Sequence, residues 1–105
     1  MFKMNGIQWY LKFVPSDSSY LYRSDGSVTV GMCDNNEQII YIDESLQGNF
    51  LKKVLCHELT HAAIFSYGIN LSIEQEEVIA DLIATYGEEI ITITNKIFTK
   101  LKERH

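Results

Sequence analysis

Five consecutive residues carry the clearest chemistry in this chain: His57-Glu58-Leu59-Thr60-His61. Histidines four apart lie one above the other on a helix, so both imidazoles can reach a single ion. Glu58 projects about 100° round the helix from His57, near enough to hold a metal-bound water without ligating the metal. Zinc takes neutral imidazole nitrogen and carboxylate oxygen, and a catalytic site uses three protein ligands plus water. The competing reading is an ordinary helix with two solvent-facing histidines. The flanks, Val54-Leu55-Cys56 and Ala62-Ala63-Ile64-Phe65, are apolar and place the motif in a core helix. Burying two histidines and a glutamate there is costly unless something pairs them, and a metal with its water would do so.

A third ligand should come from a second element that crosses the first. The segment Glu74-Gln75-Glu76-Glu77-Val78-Ile79-Ala80-Asp81 supplies candidates. Glu77 and Asp81 are four apart and share a helix face. Glu77 suits a ligand, while Asp81 suits an acceptor for the outer N–H of a ligand histidine, fixing its tautomer. Asp81 also interrupts an apolar run, VIADLIA, where a lone carboxylate needs a partner. Glu76 is the alternative third ligand. Glu74 reads as acidic decoration of a helix N-terminus, and His105, the last residue, is expected to fray.

Two kinds of element must position these groups. Ile7–Val14, rich in β-branched and aromatic residues and stopped by Pro15, reads as a strand that buries Trp9. Tyr20–Tyr22 reads as a short strand leading to an Asp25-Gly26 turn, and Val28–Met32 and Gln38–Ile42 as further strands. The loops are too short for helical crossovers, which predicts a small antiparallel three-stranded meander. From Gln47 to about Gly68 the apolar period becomes helical. Ser72, with Gln75 three positions on, matches a capping box opening a second helix. That long C-terminal helix carries its apolar stripe to Leu101 and is expected to bend or break at Gly87. The fold class is therefore expected to be α+β.

HELTH followed, after fifteen residues, by E-x-x-x-D resembles the gluzincin pattern of zinc metallopeptidases. The stretch from Lys53 to Ile91, KVLCHELTHAAIFSYG and then EQEEVIADLIATYGEEII, is similar to the small ImmA/IrrE-type metallopeptidases of phages and bacterial mobile elements. The segments LYRSDGSVTVG and IIYID are similar to the short sheet that precedes the metal helix in that group. The resemblance implies Zn2+ held by His57, His61 and Glu77, Glu58 as general base and Asp81 as the supporting aspartate. It further implies an endopeptidase acting on a protein or peptide, such as a regulatory protein of a mobile element or phage. The alternative is a zinc-stabilised protein-interaction module with little peptidase activity.

Composition agrees with one small domain, expected to be a minimal metallopeptidase domain over residues 1–105. The 46% hydrophobic content and single proline exclude wholesale disorder. A formal charge of −5 argues against nucleic acid or an anionic membrane as partner. Cys33 and Cys56 form no disulfide framework, and no run approaches a membrane span or a signal peptide, so a cytoplasmic protein is expected. An extended substrate could add to the sheet edge offered by Gln38–Ile42 or Val28–Met32. No oxyanion donor stands out by motif. Tyr20, Tyr22, Tyr41, Tyr67 and Tyr86 are candidates whose ordinary role is packing.

Overall fold

The computed structural model describes residues 1–104, so the expectation for His105 lies outside the described residues. Four strands, β1 (Phe2–Met4), β2 (Ile7–Val14), β3 (Gly31–Asp34) and β4 (Ile39–Asp43), precede two helices, α1 (Gly48–Ser66) and α2 (Ile73–Glu103). The fold is α+β, as the change of hydrophobic period predicts. The sheet, however, is not a three-stranded antiparallel meander. It has four strands in the order β1-β2-β4-β3, and β2 pairs with β4 in parallel, from Tyr10 against Ile39 to Val14 against Asp43.

The chain after Pro15 explains the difference. It does not return alongside β2 but crosses one face of the sheet. Ser18 caps a 3₁₀ turn at Ser19–Leu21, which drives Leu21 into full burial and stacks Tyr20 on Tyr41 of β4 at 4.4 Å. The expected strand over Tyr20–Tyr22 is therefore this turn. The Asp25-Gly26 turn does form, with the Asp25 carboxylate accepting from the backbone N–H of Ser27 at 2.8 Å and Gly26 at positive φ. Val28 makes only an isolated bridge to Tyr22, and regular pairing starts at Gly31 rather than Val28. Residues 15–38 are thus the crossover that a parallel pair requires. Gln38, at positive φ, precedes β4 rather than starting it. β1 was not anticipated, although Asn5-Gly6 is a strong hairpin signal and both residues adopt the positive φ of a tight turn.

Period-two alternation then sorts β4 between two faces. Ile40 and Ile42 join Trp9 of β2 and Val54 and Ala62 of α1 in one core, while Tyr41 faces the 3₁₀ turn. The C-terminal end of α1 is pinned to the β1–β2 hairpin. Trp9 Nε1 donates to Ser66 Oγ at 2.8 Å, and Asn5 Nδ2 donates to the Ser66 carbonyl at 2.9 Å. Gly68, at positive φ, follows the helix end.

α2 opens with the anticipated capping box. Ser72 Oγ accepts from the Gln75 N–H at 3.1 Å, and the Gln75 side chain accepts from the Ser72 N–H at 3.0 Å. The helix runs through Gly87 as one element, so the break expected as one outcome there does not occur. Glycine lowers helix propensity by about 1 kcal/mol, which one residue in thirty-one cannot turn into a stop. Among the described residues no helix is long and apolar enough to cross a membrane.

Candidate metal centre

α1 presents two faces to two neighbours. His57 and His61 turn towards α2, and Glu58 turns towards β3. The two Nε2 atoms of His57 and His61 stand 3.1 Å apart, in line with their four-residue spacing. Glu77 of α2 straddles them, with one oxygen 3.2 Å from His57 Nε2 and the other 3.0 Å from His61 Nε2. These three residues can hold a metal ion: one donor atom from each lies within 4.8 Å of the others.

The opposite sides of both rings are engaged as well. His57 Nδ1 lies 3.0 Å from Asp81 Oδ1, and His61 Nδ1 lies 2.7 Å from Glu76 Oε1. A carboxylate against Nδ1 holds the proton there and leaves the Nε2 lone pair free. Two lone pairs and a carboxylate then converge on one point with no donor between them. A cation fits that donor set, and in its absence a proton on either ring would bridge to Glu77. The residues therefore suit a divalent metal of the kind that takes nitrogen and oxygen together.

Glu58 is set apart from this cluster. It is only 8% exposed, enclosed between α1 and β3. Burial pushes its carboxyl above the ordinary 4.5, against the opposing pull of the His57 and His61 imidazoles. The enclosure depends on Gly31. A Cβ there would come within 2.8 Å of Val54 Cγ1 and 3.1 Å of both Cγ and Oε2 of Glu58. A side chain at position 31 would thus contest the space that the carboxyl occupies.

No family model matches the chain, and neither a curated protein nor a solved structure matches it.

Of the residues singled out in the sequence, His57, His61, Glu77 and Asp81 come together, and Glu58 lies beside them on the sheet side. Two details differ from expectation. Asp81 was expected to be a buried carboxylate in need of a partner, yet its side chain is 70% exposed, so its contact with His57 is not forced by burial. Glu76 engages the Nδ1 side of His61, so it supports a ring rather than joining Glu77 at the Nε2 side. Glu76 as a support and Gly31 as the floor beneath Glu58 were not found by sequence reasoning. Only the first had a legible signal, since Glu76 is one residue from Glu77 at the start of the same helix. The tyrosines take packing or surface positions: Tyr41 is buried under Tyr20, and Tyr22, Tyr67 and Tyr86 are exposed. Cys33 and Cys56 are free thiols, and burial together with the charges of Glu58 and Glu76 pushes Cys33 up to about 12.

Proposed function

We propose that this chain is a zinc-dependent endopeptidase of the ImmA/IrrE type. The observation that carries the reading is the separation of roles around one helix: two imidazoles and Glu77 facing each other, and a buried carboxyl one residue away that ligates nothing. A structural site would have no use for such a carboxyl and would tend to close its fourth position.

A bound zinc ion would polarise the scissile carbonyl and acidify a water molecule. With His57, His61 and Glu77 holding the ion, Glu58, its affinity for protons raised by burial, would be the group to accept a proton from the attacking water and return it to the amine that leaves as the C–N bond breaks. Asp81 and Glu76 hold the two rings so that their Nε2 lone pairs stay aimed at the same point. The substrate reading follows from the sheet order. β4 lies inside the sheet and has no free edge, which removes Gln38–Ile42 as a docking strand. β3 is the edge strand and runs beside Glu58, so an extended protein segment added to β3 would lie along the site. Backbone pairing of this kind asks little of the side chains, which suits a protein substrate such as a phage or mobile-element regulator.

The test is to measure zinc stoichiometry and compare cleavage of a panel of candidate proteins by wild type and Glu58→Gln. The expected result is about one zinc per chain in both, with cleavage reduced by about 10²-fold or more in the variant. Equal cleavage would remove Glu58 as the base. Stoichiometric zinc without cleavage of any candidate would favour the second reading, a zinc-stabilised interaction module, which the exposed apolar part of α2 also supports.

A further inference from the structure

α1 and α2 run antiparallel, from the His61–Glu76 contact at one end to the Lys52–Glu88 ion pair of 2.8 Å at the other. α1 begins at Gly48, so α2 continues past it as an arm, and every residue from Glu88 to Arg104 is exposed. The arm is about 25 Å long at 1.5 Å per residue. It is not built to stand alone. Ile90-Ile91-Thr92-Ile93-Thr94 is a run of five β-branched residues, which lowers helix propensity, and an isolated helix of this length is marginal in water. Tyr86, Ile90, Ile93, Ile97, Phe98 and Leu101 nevertheless share one helix face, each between 47% and 58% exposed. Something must cover that face for the arm to persist as a helix.

We propose that the cover is α2 of a second copy, lying antiparallel to the first and crossing it near Thr92. Two observations select this occupant. The first is charge. Between Asp81 and Glu89 the helix has three acidic residues and no basic one; between Lys96 and Arg104, the stretch they would oppose, it has four basic residues and one acidic. A parallel pair would set like ends side by side, whereas an antiparallel pair sets each acidic end against a basic one. With the two arms crossing near Thr92, Glu89 of one copy lies beside Lys96 of the other. Within one helix these two are seven residues apart, two full turns, and out of reach of each other. The second observation is area. Six half-exposed side chains of this size offer roughly 600 Å² per copy, about 1,200 Å² for the pair, the lower end of a stable interface. One self-complementary patch also closes on itself, so the assembly stops at two.

Sedimentation equilibrium of the full chain, from about 1 to about 100 µM, should show mass rising from 12.1 kDa towards twice that value. Glu89→Lys and Lys96→Glu should each weaken the dimer about tenfold, and the two together should restore it to near wild type. Ile90→Asp combined with Ile97→Asp should give a monomer that still takes up zinc as wild type does, showing that the α1–α2 site remains folded. A wild type that stays monomeric throughout would overturn the proposal, whatever else the arm binds. A dimer indifferent to the single charge changes, or not restored by the double change, would overturn the antiparallel pairing.

Discussion

At the scale of single residues, the centre separates atoms that face the shared point from atoms that face away. Removing Glu77 takes away a donor, whereas changing Glu76 or Asp81 only loosens a ring. Glu77→Ala should therefore abolish tight zinc binding, while Glu76→Gln and Asp81→Asn should each weaken it by about 10- to 100-fold. Competition with a chromogenic chelator measures all three. If Glu76→Gln bound zinc no more tightly than Glu77→Ala, Glu76 would have to be counted as a ligand. A second carboxylate, Asp43 at the end of β4, is tied down for structural reasons. Its Oδ1 accepts from Ser16 Oγ, Ser45 N–H and Ser45 Oγ, each at 2.8 Å, and these bonds hold its carboxyl below the ordinary 3.8. A depressed folded value means stability that is present above the unfolded value and lost as pH falls through the folded one. Asp43→Asn should therefore be less stable than wild type at neutral pH, and the gap should close as acid unfolding is followed below pH 3.8. A gap that widened in acid would contradict this assignment.

At the scale of elements, the decisive contact is that of β3 with α1. Strand and helix approach so closely at Gly31 that the strand backbone forms a wall of the Glu58 chamber. Val54 Cγ1 sits on a short branched side chain in the core and has little room to give. Gly31→Ala should cost about 2 kcal/mol through overpacking and should displace Glu58. On the proposed function, proteolytic activity should then fall more than zinc affinity does, because His57 and His61 face α2 and do not touch Gly31. Equal losses would place the damage in the helix pair instead. The helices were the legible part of this fold because their signals are local. His57 and His61 are four apart, and Ser72 and Gln75 three apart, so the pattern specifies the geometry with no knowledge of the rest. Gly87 shows the limit: a weak local preference is overridden when thirty residues around it remain helical.

At the scale of the whole molecule, what could not be read was which strand lies beside which. The motif Val28–Met32 looks like a strand by composition, but Leu21 and Tyr20 have partners across the sheet that decide where the chain runs, and those partners are distant in sequence. Asp81 illustrates the same point in the candidate site. Its neighbours in the chain are apolar, yet the surface of α2 on which it falls is left open, so sequence context misjudged its exposure while its spacing to Glu77 was sound. The parallel pairing of β2 with β4 joins residues 29 apart, from Tyr10–Ile39 to Val14–Asp43, whereas His61 and Glu76 are 15 apart on helices that form locally. Closing the longer loop costs more chain entropy, and distant strand pairing is the slower event in folding. The α1–α2 hairpin should accordingly acquire protected amides before β2 and β4 do, which pulse-labelled hydrogen exchange during refolding would register; simultaneous protection would argue against it. β3 and β4, by contrast, form a local hairpin whose partners stand 5 to 11 residues apart, so Gly31 can reach Val54 and Glu58 of α1 before β2 arrives. On the proposed function, base and ligands would then gather early in a newly made chain, and the strand bearing Trp9 would be the last piece to seal the core beneath them.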